Sequence, residues 1–123
     1  MFRSARLLIA LTIPLFAHAE YVAPISTQSL LTDIHVNKDW TVVQRMEVTK
    51  RVETDQGISI LGEQKISYNS AHEKVRVIKA YTLQPDGTKD MVTPDRIRTQ
   101  DDQADAGNGI YSESKVKVII FPN

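Results

Sequence analysis

Apolar and polar positions alternate with a period of two over most of the chain. Leu30, Thr32, Ile34 and Val36 fall on one side of a run whose other side carries Leu31, Asp33 and His35, the pattern of a half-buried strand. Asn37-Lys38-Asp39 has turn chemistry. From Trp40 to Glu53 the alternation resumes, with Trp40, Val42, Met46, Val48 and Val52 on one face and Thr41, Arg45, Glu47, Thr49, Arg51 and Glu53 on the other. Together the two runs predict an antiparallel hairpin with one wet face. At ~3.3 Å per residue the second run would exceed about 40 Å, which predicts a bulge or bend within it.

The flanking stretches fill in a strand-rich chain. Residues 20–27 (EYVAPIST) read as an extended lead-in, with Pro24 biasing Ala23 away from helix. Asp55-Gln56-Gly57 ends the long strand, and Ile58 and Leu61, spaced i and i+3, predict one short helical turn stopped by Gly62. A short strand over Lys65–Asn69 follows. Ser70 to Glu73 has the spacing of a capping box, but the β-branched residues after it predict a turn leading into a strand from Lys74 to Gln84. Pro85-Asp86-Gly87 is a tight turn, because proline presets φ, aspartate bonds its own backbone and glycine accepts positive φ. It reverses the chain into Lys89–Val92, and Pro94-Asp95-Arg96 forms a further turn. Gln100–Gly109 reads as a polar loop, and Ser114–Phe121 as a last strand with Val116, Val118 and Ile120 on one face and Ile119 and Phe121 on the other. The fold expected is all-β: an antiparallel sandwich-like sheet with at most one short helical turn, preceded by a signal peptide. The closing strand is so apolar that the β-rich domain, residues 20–123, reads as incomplete at its C-terminal end, with Val116–Phe121 left as an exposed, association-prone edge.

Composition changes this picture at the N-terminus. Arg3 and Arg6 precede an apolar run from Leu7 to Phe16, and Ala17-His18-Ala19 has the small-residue form of a cleavage site. Residues 1–19 therefore read as a secretory leader rather than a retained anchor, the run being shorter than the ~20 residues a membrane span requires. Location in the periplasm or outside the cell follows. Losing Arg3 and Arg6 turns a balance of 15 basic and 15 acidic residues into a net charge of −2, no footprint for nucleic acid. With no cysteine, disulfide bracing, lipidation on sulfur and cysteine nucleophiles are all excluded.

Candidate chemistry is sparse. Once His18 leaves with the leader, a hydrolytic triad would have to use His35 or His72, and no G-x-S-x-G elbow frames a serine. Two scattered histidines make a weak zinc site. A calcium loop starting at Asp102 places Gly107 and Glu113 correctly but puts Ala104 and Ala106 at ligand positions, and one starting at Asp101 puts Ala106 where glycine is required. Asp86 and Asp95 are accounted for by turns. Arg96 and Arg98, spaced i and i+2 on an extended segment, would share a face, where binding an anion is one role and pairing with nearby carboxylates or facing water the commoner one. Tyr68, Tyr81 and Tyr111 are candidates for stacking on sugar rings. No catalytic residue, metal or cofactor is assigned.

The run Ala80–Gln100, with its P-D-G turn and the PDRIRTQ of Pro94–Gln100, resembles a bacterial extracytoplasmic domain of unknown function that typically precedes a transglutaminase-like domain. Thr54-Asp55-Gln56-Gly57 before a short helix and Ile66-Ser67-Tyr68-Asn69 fit the same pattern. So do Tyr111-Ser112, Lys115-Val116-Lys117 and the closing Ile120-Phe121-Pro122-Asn123. The resemblance covers roughly Trp40 to Asn123. It implies an all-β, sandwich-like envelope domain, N-terminal to a cysteine-dependent catalytic domain, and it carries over no catalytic residues. The function expected is a non-catalytic accessory or interaction domain, normally linked to a transglutaminase-like partner. The alternative is a free-standing module that binds envelope carbohydrate or peptide.

Overall fold

A computed structural model of the chain describes residues 19–102 and 113–122. Residues 1–18 of the expected leader, residues 103–112, which include most of the expected polar loop, and residue 123 lie outside the described residues. The fold is mostly β, with antiparallel sheets and one short α-helix, as the alternation predicts. In chain order the elements are β1 (Ile25–Val36), β2 (Val42–Val52), α1 (Asp55–Leu61), β3 (Glu63–Asn69), β4 (Tyr81–Leu83), β5 (Lys89–Met91), a 3-10 turn (Pro94–Arg96), β6 (Ile97–Asp101) and β7 (Ser114–Ile120).

β1 and β2 form a two-stranded ribbon whose register runs from Ile25 opposite Val52 to Val36 opposite Val42. The bulge falls in β1, between Thr27 and Ser29, and not in the second strand where its length predicts one. Gln28 is the residue left over there, and the skip lets Ile25 share the face of Leu30, Ile34 and Val36. Trp40 is not on the strand face. It sits in the connecting turn at φ 68°, held by Trp40 N–H donating to Asn37 O at 3.0 Å and by Asn37 N–H donating to Thr41 O at 2.8 Å. The Asp39 carboxylate closes this turn by accepting from the Thr41 N–H and hydroxyl.

β3, β7 and β6 form a three-stranded sheet in that order. This corrects the expectation for the last strand. β7 is the central strand, paired along Glu63–Ile120 to Asn69–Ser114 on one side and Ile97–Ile119 to Asp101–Lys115 on the other. Val116, Val118 and Ile119 are the buried apolar residues of the described chain. Because 118 and 119 point to opposite faces, both faces of β7 are covered.

α1 begins three residues earlier than the i, i+3 spacing predicts, after Thr54 in extended conformation, and Gly62 caps it as expected. Gly57 is buried in the helix against the start of β1, where the Pro24 carbonyl accepts from Glu53 N–H at 2.9 Å and Thr54 N–H at 3.3 Å. Residues 74–80, expected as strand, pair with no strand among the described residues, apart from the Ala80 carbonyl accepting from Val92 N–H at 2.9 Å. Pairing resumes only where β4 meets β5 around the Pro85–Gly87 turn. Gly87 there takes φ 87° and the Asp86 carboxylate accepts from Thr88 N–H.

Candidate functional site

The chemistry-bearing residues are scattered. His35 lies exposed on the polar face of β1 opposite Val43, and His72 lies exposed in the turn after β3, its backbone N–H donating to Asn69 O. Neither imidazole bonds a carboxylate among the described residues, and no group of three His, Cys, Asp or Glu there is placed to hold a metal ion. Of the calcium-loop candidates, Gly107, Ala104 and Ala106 fall outside the described residues. Glu113 uses its carboxylate and its carbonyl to accept from the Ser70 hydroxyl. Arg96 sits in the 3-10 turn and Arg98 on β6, so they do not share one extended segment as expected, though both charges act on the Asp95 carboxylate. Proline at the start of Pro94–Arg96 favours the tighter turn over an extended chain.

Perturbed carboxylates are explained by turn geometry. The Thr41 hydroxyl holds Asp39 below the usual carboxylate range, the Thr88 N–H does so for Asp86, and the Thr93 hydroxyl for Asp95. The Lys115 ammonium is raised, first by its hydrogen bond to Asp101 across the β6–β7 pair and then by that residue's charge. The three aspartates are exposed and Lys115 half-buried, and all four serve turns or strand pairing.

What stands out is apolar surface. Seen through the register, one face of the ribbon carries Leu30, Ile34 and Val36 on β1 beside Val42, Met46 and Val48 on β2, and all six are more than 40% exposed. The opposite face is mixed, with exposed Leu31 and Val43 among Asp33, His35, Arg45, Glu47 and Thr49. The β4–β5 hairpin repeats this on a smaller scale. Its inner face is polar and satisfied within the chain, with the Thr82 hydroxyl donating to Pro122 O and the Gln84 amide to the Asp90 carboxylate, both at 2.8 Å. Its outer face presents Tyr81, Leu83 and Met91, all exposed. The ammonium groups of Lys79 and Lys89 lie 5.2 and 5.0 Å from the centroid of the Tyr81 ring. Of the other tyrosines, Tyr68 is half-buried on β3 and Tyr111 is outside the described residues.

Of these two apolar faces the sequence points only to Tyr81 on the hairpin, as a sugar-stacking candidate, and it assigns the ribbon's apolar positions to a core. The signal available was the length of the alternating hairpin beside the scarcity of helix or further strand to cover it. No helix among the described residues is long and apolar enough to cross a membrane. No curated protein and no solved structure matches the chain. The model of DUF3857, a domain of unknown function, matches residues 38–123, well over half of the chain and nearly the span of the resemblance read from its motifs. The chain belongs to the DUF3857 family.

Proposed function

We propose that the chain is a non-catalytic accessory and interaction domain of the cell envelope, exported by its N-terminal leader and working beside a transglutaminase-like domain. The observation that carries this reading is the inverted β4–β5 hairpin. Its polar side chains are used up inside the chain while Tyr81, Leu83 and Met91 face outward. Apolar groups held outward by a satisfied polar scaffold are what a docking surface requires. The association with a transglutaminase-like domain is supported by the motif resemblance over Trp40–Asn123.

Titration calorimetry of the chain against a purified transglutaminase-like domain from a protein carrying both domains tests the reading. The expected outcome is one-to-one binding, weakened about tenfold or more by Leu83→Asp, a loss of at least ~1.4 kcal/mol. Absence of binding, or binding that Leu83→Asp leaves unchanged, contradicts it. The second reading, a carbohydrate- or peptide-binding module, is favoured by the exposure of Tyr81. It is weakened by the two ammonium groups over that ring, which already engage the π surface a sugar would stack on. Titrating soluble peptidoglycan fragments in the same instrument separates the two.

A further inference from the structure

The apolar face of the β1–β2 ribbon is separate from the β4–β5 surface and has its own pattern. Along β2 it reads Val42, Gln44, Met46, Val48, Lys50, Val52, which is apolar, polar, apolar, apolar, polar, apolar from either end. The centre of that order falls at Glu47, whose side chain points to the other face. A second copy laid face to face, with its β2 antiparallel to the first, therefore sets Met46 on Val48, Val42 on Val52 and Gln44 on Lys50. No like charges meet. Such a pattern suits a two-fold, isologous contact, in which each position meets its mirror position.

We propose that this face is the interface between two copies of the chain, stacked as a two-layer sandwich about ~10 Å thick. The area agrees. Seven apolar side chains of the face are 42–63% exposed, leaving on the order of 600 Å² open, the upper end for a single patch on a monomer. Two copies would remove roughly 1,200 Å² from water, the lower limit of a stable specific interface. A bilayer is the poorer occupant. β1 and β2 each pair with one strand among the described residues, so both outer edges carry unpaired backbone groups that hydrocarbon cannot satisfy. Face-to-face stacking leaves those edges in water. The proposal rests on the reading of the chain as an interaction domain but uses a different face from the one assigned to the partner domain. Either contact can fail while the other survives.

Sedimentation velocity of the full chain, from low to high micromolar concentration, tests it. The expected result is a monomer–dimer equilibrium that stops at two copies. Met46→Glu should weaken it on the order of 100-fold. Leu31→Glu, on the opposite face of the same ribbon and 65% exposed, should leave it unchanged. Gln44→Glu should tighten it about tenfold in a salt-sensitive way by facing Lys50 of the second copy, and Gln44→Lys should loosen it by a similar factor. All these positions are exposed, and far-ultraviolet circular dichroism confirms that each variant keeps its strands. A monomer at every concentration overturns the proposal, as does an assembly that grows beyond two. Equal loss from Leu31→Glu and Met46→Glu, or indifference to charge at position 44, overturns it too.

Discussion

Replacing Gly57 by alanine sets two physical effects of opposite sign against each other. By helix propensity alone the change should help, since glycine inside a helix costs about 1 kcal/mol relative to alanine. The packing says otherwise. A Cβ on Gly57 would lie 2.2 Å from the Pro24 carbonyl oxygen and 3.1 Å from Ile25 Cγ2. The first of these is backbone, fixed by accepting from both Glu53 N–H and Thr54 N–H. Relief requires α1 and the start of β1 to separate by roughly 1 Å, the scale on which overpacked cores respond. That stretches two hydrogen bonds worth ~0.5–1.5 kcal/mol each and adds an overpacking cost of ~1–3 kcal/mol. Net of the propensity gain, Gly57→Ala should destabilise by about 1–5 kcal/mol, a fall in Tm on the order of 10 °C for a domain of this size. Thermal and urea unfolding followed by circular dichroism measure it, with Ser59→Ala, exposed on the same helix, as a control expected to be neutral or slightly stabilising. A Gly57→Ala variant as stable as its parent, or more stable, would refute the close approach of α1 to Pro24.

Trp40→Asn should raise the urea midpoint by about 0.5–1 kcal/mol equivalent, because a bulky residue at φ 68° is strained whereas asparagine tolerates that region. Trp40 is 85% exposed and so loses little burial. Val118→Ala should cost ~1–3 kcal/mol at the centre of the three-stranded sheet, read from the same unfolding curves. Asp39, Asp86 and Asp95 have carboxyls held below their ordinary range, so their stabilisation is present above the unfolded value of 3.8 and is lost as pH falls through the lower folded values. Stability should therefore be flat near neutrality and fall below about pH 4, with a shallower fall when all three are asparagine. Lys115 is raised above its ordinary value of 10.5. Its contribution is complete below that value and is lost as pH climbs through the higher folded one, so Lys115→Met should flatten the alkaline limb.

The ribbon was the most legible part of the fold. Apolar residues dominate one face from Val42 to Val52 despite Gln44 and Lys50, and Asn37–Asp39 opens the turn, so the hairpin follows from the pattern, whereas the skip at Gln28 and the turn position of Trp40 do not. Position in a sheet is a different matter. β7 read as an edge because so apolar a strand was taken to have lost a partner, yet order along the chain does not determine order across a sheet. The clue lay in Val118 and Ile119, apolar on both faces, the composition of a strand covered on two sides. Residues 74–80 show the converse. Val75, Val77 and Ile78 make the chain extended, but β propensity reports shape and cannot supply a neighbouring strand. Arg96 was read as extended although the turn that Pro94 starts still holds it. The surfaces proposed for contact were hidden for a simpler reason: an apolar stripe along a strand looks the same whether a core or a partner covers it.

Two methionines allow the central claim, that the chain works through its open apolar faces, to be tested in one experiment. Met46 lies on the ribbon face and Met91 on the outer face of β4–β5, both about half exposed. Peroxide oxidation of their thioethers, followed by mass spectrometry, reports the access of each. The account predicts that Met46 oxidation slows as the chain is concentrated while Met91 does not. It also predicts that Met91 slows when a transglutaminase-like domain is added. Two methionines that oxidise at the same unhindered rate under every condition would contradict it.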